Sequence, residues 1–161
     1  MRRRLKSLYA DCRATWNHGE TKPRILRMTR MIDKEFLEGL LKQAVDNPRK
    51  RVNYDMRTSP EDGSQRMLNA MLPGTEVAIH RHPNSNENVI LITGKMYEIL
   101  YEVMDGQLVE TERLYLCPAE GKYGCQVPKG VWHTVEVIEP SVIYEAKDGK
   151  YGEDGSETYE G

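Results

Sequence analysis

The stretch Gly74-Thr75-Glu76-Val77-Ala78-Ile79-His80-Arg81-His82-Pro83-Asn84-Ser85-Asn86-Glu87-Asn88-Val89-Ile90-Leu91-Ile92-Thr93-Gly94 decides how this chain is read. Turn formers punctuate it: Pro73-Gly74 before it, Pro83-Asn84-Ser85-Asn86 in the middle and Gly94 at its end. The runs between them, 75–82 and 87–93, read as strands. Residues two apart in a strand share a face, so His80 and His82 point the same way, in line with Ala78. Glu87 opens the next strand in line with Val89, Leu91 and Thr93. Further on, His133 shares a face with Val135 and Val137. Each of these polar residues ends a line of mostly apolar side chains. On neighbouring strands of a barrel they would converge in the interior near one mouth.

Left without partners there, a carboxylate and three imidazoles would each carry a desolvation penalty of roughly several kcal/mol. One divalent metal ion removes that penalty, because neutral imidazole and ionised carboxylate are its natural ligands near neutral pH. His80, His82, Glu87 and His133 are therefore the candidate metal ligands. Four protein ligands leave one or two coordination positions for water or a small-molecule ligand. Zn, Fe, Mn, Ni and Co all suit the set, which does not choose among them.

Outward from this stretch the chain divides by pattern. Phe36, Leu37, Leu40, Leu41, Ala44 and Val45 form one apolar stripe at helical spacing, with Asp33 as N-cap and Asn47-Pro48 as stop, which predicts a helix over 33–46. From about residue 51 short strands follow one another: 51–57, 64–71, 75–82, 87–93, 95–103, 107–116, 125–128, 131–138 and 141–147. Asp105-Gly106 between alternating runs is a two-residue hairpin signal. Many short antiparallel strands after one helix predict an all-β sandwich or barrel. Residues 152–161, with four acids and little apolar mass, read as a disordered acidic tail.

The charge is uneven. Residues 1–31 hold nine Lys/Arg against two acids, and the remainder holds fourteen against twenty-three. The basic arm lacks the dense Lys/Arg run of a nucleic-acid tail, and its Leu5–Asp11 segment is too polar for a signal peptide. Residues 1–30 are expected to be a flexible arm or to precede the natural start, with Met28 or Met31 just ahead of the first element. No apolar run is long enough to span a bilayer, so neither membrane nor nucleic acid is an expected partner. Three cysteines cannot all pair, and Cys12, Cys117 and Cys125 are expected to be free thiols in the reducing cytoplasm.

The spacing Gly74-x5-His80-x-His82-x4-Glu87-x6-Gly94 resembles the first signature of the cupins at every fixed position. Pro128-x-Gly130-x2-His133 resembles the second, with Lys122 where a leading Gly is expected and Val137 where an Asn would close it. Arg51-x-Asn53, Gln65-Arg66-Met67-Leu68-Asn69-Ala70 and Glu145-x-Lys147-x-Gly149-x-Tyr151 extend the likeness over most of 33–151, where the chain is similar to the WbuC-type cupin fold metalloproteins named from surface-polysaccharide gene clusters. The resemblance implies a cupin-type double-stranded β-helix or jelly-roll barrel over 31–151, and leaves the reaction open. Arg66 or Asn69, and Lys95 with Tyr97 after Gly94, are expected to line the pocket, Tyr97 being the candidate acid/base group.

These readings converge on a metal-dependent enzyme acting on a sugar or nucleotide-sugar. A non-catalytic small-molecule or metal-sensing module and an Fe-dependent dioxygenase are the alternatives. Val77, Ile79, Ile90 and Ile92 fall on faces opposite the ligands, which predicts a homodimer that covers what the helix leaves bare.

Overall fold

The structure is a computed structural model that describes residues 30–160. Ile32–Gly161 forms one compact unit. The expectations for the basic arm, with Cys12 and His18, fall outside the described residues.

Helix α1 (Lys34–Val45) begins where expected, with Asp33 Oδ1 accepting the Phe36 N–H at 2.9 Å. Eight strands follow: β1 (Arg51–Asp55), β2 (Ser64–Met71), β3 (His80–Arg81), β4 (Glu87–Met104), β5 (Gln107–Leu116), β6 (Gly124–Val127), β7 (Trp132–Asp148) and β8 (Glu157–Thr158). All pair antiparallel. A 3-10 turn, Pro118–Glu120, links β5 to β6.

The long strand β7 organises the molecule. It pairs with β2 from Ser64↔Asp148 to Met71↔Ser141, with β3 at His80↔His133, and with β4 from Glu87↔Lys147 to Tyr101↔Trp132. The sheet has apolar cover on both faces. Inside lie Met71, Val89, Leu91, Met96, Leu116, Val137 and Ile143. On the outside, Leu37 and Leu40 of α1 pack on Leu68, Ala70 and Val142. The alternation of β2 follows from this division: Leu68 and Ala70 turn to the helix, while Met67, Asn69 and Met71 turn inward.

Three expectations are corrected. Residues 75–79 are not a strand, so the line from Ala78 to His80 does not hold: Ala78 is exposed and Val77 lines the interior. Residues 87–103 form one strand instead of two, but its register against β7 shifts between Leu91 and Met96, around Gly94 at φ +99°. An irregularity of this kind exchanges the two faces of a strand, so beyond it Met96 and Glu98 are the inward residues. The acidic segment after Gly152, expected to be disordered, folds back as β8 on β3. Its polar residues find specific partners there. Asp154 accepts from Gln65 Nε2 at 2.9 Å, Glu157 pairs with Arg81, and Tyr159 packs edge-on against Trp132.

Candidate metal centre

Strand pairing brings the four candidate ligands together. His133 sits opposite His80 across the β3–β7 ladder, and Glu87 sits at the start of β4 opposite Lys147. Ligand atoms from His80, His82, Glu87 and His133 all lie within 4.8 Å of one another. His82, Glu87 and His133 are buried and His80 is half-buried.

The donor set fits a metal ion, and the hydrogen bonds behind it show how. His80 Nδ1 lies 2.9 Å from the Ala78 carbonyl and His133 Nδ1 lies 3.0 Å from the Val131 carbonyl. A carbonyl only accepts, so in both rings Nδ1 carries the proton and Nε2 keeps its lone pair. His82 Nδ1 lies 2.8 Å from Ser156 Oγ. That hydroxyl gives its one hydrogen to Asp154 Oδ2 at 2.6 Å, so it accepts from His82. All three rings are thereby fixed with Nε2 turned to the centre, where His82 Nε2 lies 2.8 Å from Glu87 Oε2 and 3.3 Å from Lys147 Nζ; outer partners impose this orientation on metal-binding histidines. His133 Nε2 is fully buried and has no hydrogen-bond partner. An orphaned imidazole lone pair beside a carboxylate and two further imidazoles is explained by a cation.

Charge in the centre is held by neighbours. Burial works against the Glu87 carboxylate, but the imidazoles of His133 and His82 beside it and the Lys147 ammonium outweigh it and hold Glu87 well below the usual carboxylate range. Lys147 Nζ donates to Glu87 Oε2 at 2.8 Å and to Glu145 Oε1 at 2.9 Å. Burial would neutralise Lys147, yet those two carboxylates raise its pKa above the ordinary value. Burial pushes the His80 imidazole down to about 4, with the nearby His133 acting the same way.

Of the other expected pocket residues, Asn69 lines the cavity above the centre and donates to Glu145 Oε2 at 2.7 Å. Arg66 lies on the opposite face of β2, bound to Asp62 and Ser64. Lys95 and Tyr97 are also turned away, because the irregularity at Gly94 reverses the strand. Lys95 pairs with Glu139 at 2.8 Å, and the Tyr97 ring packs on Tyr115 beneath the Arg113 guanidinium. Glu98 takes the inward place that alternation without a bulge assigns to Tyr97. It lines the cavity at 1 % exposure, and neither carboxylate oxygen has a partner. Burial, then the charges of Glu87 and Glu145, raise its pKa well above the ordinary value and so favour its protonated form. A lone Glu between Tyr97 and Ile99 in an otherwise apolar and aromatic run was the available signal for it.

Barrel topology, both short motifs and this donor set make the chain a cupin-type double-stranded β-helix protein with a candidate metal centre. The profile of a domain of unknown function, DUF6016, matches residues 32–114, and the chain belongs to that family. A search of curated proteins by sequence finds no match. Among solved structures it is similar to an uncharacterised conserved protein with a double-stranded β-helix domain from Klebsiella pneumoniae (15 % identity, 83 % of this chain, 99 % of that one, TM-score 0.50). It is also similar to TT1209 from Thermus thermophilus (21 % identity, 64 % and 87 %, TM-score 0.50). A third match is the capsular polysaccharide assembling protein CapF from Staphylococcus aureus (20 % identity, 68 % of this chain, TM-score 0.49). The chain spans 29 % of CapF and 56 % of another matched structure, and at 15 % and 21 % identity the likenesses to the Klebsiella pneumoniae and Thermus thermophilus proteins speak to the fold alone.

Proposed function

We propose that this protein is a metal-dependent enzyme of the cytoplasm acting on a small polar molecule, a sugar or nucleotide-sugar, within surface-polysaccharide synthesis. The observation that supports the metal is the orphaned, fully buried His133 Nε2 among three further donors. His80, His82 and His133 would bind through Nε2 and Glu87 through its carboxylate, and a divalent ion held there supplies polarisation of a carbonyl or hydroxyl. The chain's own residues do the rest. Lys147 holds Glu87 in place, and Asn69, fixed by Glu145, presents its amide to the cavity. Glu98, whose burial favours its protonated form, would offer an O–H to a substrate oxygen, which suits general-acid work. The polysaccharide assignment rests on the resemblance of 33–151 to the WbuC-type proteins. Cytoplasmic placement is supported by Cys117 and Cys125, both free thiols.

Metal analysis of the full chain purified without added metal, beside His82→Ala, tests the centre. Near-stoichiometric metal in the wild type and a sharp loss in the variant are expected, with a lower Tm because an ion bound only to the native state stabilises it. Full metal content in His82→Ala overturns the ligand assignment. Turnover of a panel of sugar-nucleotides by the metal-loaded protein tests the reaction class.

A further inference from the structure

Above the candidate centre opens a cavity of about 530 Å³. Its chemistry is graded from bottom to top. Buried Glu87, Glu98 and His133 lie at the base, Asn69 on the wall, and Arg49 and Arg51 at the rim, where Arg49 is exposed and Arg51 half-buried.

The two arginines lie close enough to act on one another: burial and then the Arg49 charge disfavour the Arg51 cation, while Glu145 and Tyr151 act the other way. Arg51 donates one N–H to the Glu76 carbonyl at 2.9 Å, which anchors the guanidinium, and its other donors make no further hydrogen bond among the described residues. Neither arginine forms an ion pair among the described residues, although Arg57, Arg66, Arg81 and Arg113 all do. Two neighbouring guanidinium groups with no direct ion-pair partner among the described residues attract an anion over a concave site and suit the forked geometry of carboxylate or phosphate oxygens. At the other end the Glu98 carboxyl is fully buried and unpartnered. A buried polar group without a partner is costly, and a ligand oxygen reaching the base of the cavity would satisfy it.

We propose that the cavity takes a small polyhydroxylated molecule bearing a carboxylate or phosphate, with Arg49 and Arg51 holding the anion at the rim and Glu98 hydrogen-bonding a hydroxyl or carbonyl at the base. This inference rests on the small-polar-substrate reading above and specifies its charge. The arginines act by their own charge, so the preference for an anion persists when the centre holds no metal.

Calorimetric titration of the full chain, metal-loaded and chelator-treated, compares D-glucose, D-gluconate, D-glucose 6-phosphate and inorganic phosphate. Both anionic sugars are expected to bind about tenfold or more tightly than glucose in either form of the protein, as loss of a charge-assisted hydrogen bond implies. The double variant Arg49→Gln/Arg51→Gln should erase that preference while keeping its metal. Glu98→Leu should weaken the anionic sugars about tenfold, whereas Glu98→Gln, which keeps a donor, should bind them as the wild type does. The gluconate and glucose 6-phosphate arms separate carboxylate from phosphate. Equal affinity for glucose and its anions, a preference surviving in the arginine variant, inorganic phosphate binding as tightly as the sugars, or no anionic binding at millimolar concentration each overturns the proposal. Absence of metal from the wild type, with the anion preference intact, instead overturns the metal-dependent reading and leaves this one standing.

Discussion

The ammonium of Lys147 lies 2.8 Å from Glu87 Oε2 and 2.9 Å from Glu145 Oε1, inside the barrel and beside three histidines. It neutralises a pair of carboxylates that the fold forces together. Glu87 and Lys147 are cross-strand partners on β4 and β7, and Glu145 is two residues back on the same face of β7. Lys147→Met removes that cation. The metal-free protein is expected to lose about 3–5 kcal/mol, the cost of leaving a buried charge uncompensated. An ion bound by Glu87 would replace much of the missing charge, so zinc should raise the Tm of the variant more than that of the wild type. Melting curves with chelator and with zinc check this. The same loss under both conditions would make Lys147 a packing element alone.

Ser156 and Asp154 hold the His82 ring from behind, through contacts of 2.8 Å and 2.6 Å. Burial works against the Asp154 charge, but hydrogen bonds from Ser156 and Gln65 outweigh it and keep the carboxyl below its usual range. Ser156→Ala and Asp154→Asn are each expected to weaken zinc binding by about 10- to 100-fold, the usual effect of removing an outer partner of a histidine ligand. Competition against a chromophoric chelator measures it. Unchanged affinity in both variants would show that the His82 ring is set by packing.

Much of the centre was legible in the sequence because period-two spacing and turn punctuation are local. His80, His82 and Glu87 lie within eight residues, and the ladder that brings His133 beside His80 follows from antiparallel pairing. What was hidden depends on long-range register. The face exchange around Gly94, which removes Tyr97 and admits Glu98, follows from how β4 meets the distant β7 between Leu91↔Ile143 and Met96↔Val137. Fixation of His82 by Ser156 joins residues 74 apart in sequence, from a segment too polar to read as ordered by composition.

Gly94 itself offers a direct test of that register. Its φ of +99° is strained for an L side chain, and a Cβ there would collide with the Pro140 carbonyl and Ser141. Gly94→Ala is expected to cost about 2 kcal/mol or more, read from the denaturant midpoint. A cost below about 0.5 kcal/mol, typical of an unconstrained surface site, would mean that the bulge relocates freely.

Glu98 predicts a pH dependence of definite sign. Burial and the charges of Glu87 and Glu145 raise its folded pKa above the ordinary 4.5. The folded state therefore keeps a proton that the unfolded chain releases. The stability linked to that proton is fully present below 4.5 and is lost as pH rises towards the folded value. Gln cannot ionise, so Glu98→Gln should match the wild type at low pH and gain on it as pH rises. The gain is up to about 1.4 kcal/mol for each pH unit between the two pKa values. Urea midpoints of chelator-treated protein between pH 4 and pH 8 check the trend, and parallel pH profiles would show that Glu98 ionises normally.

The remaining prediction concerns the face of β4 opposite Val89 and Leu91. Ile90 and Ile92 are 45 % and 37 % exposed there, with Ile138 of β7 at 38 %. Helix α1 covers Leu68, Ala70 and Val142 and does not reach them. β-Branched apolar side chains on a sheet that ought to face water call for a second apolar surface, and the commonest supply is another copy of the chain about a two-fold axis. Light scattering at micromolar concentration is expected to give twice the 18.6 kDa chain mass. Ile90→Lys places a charge at the centre of this patch and should yield a folded monomer, with its circular dichroism unchanged because the residue does not contact the barrel interior. A wild-type monomer would show that these isoleucines are tolerated in water, and a dimer persisting in Ile90→Lys would place the two-fold contact on another face.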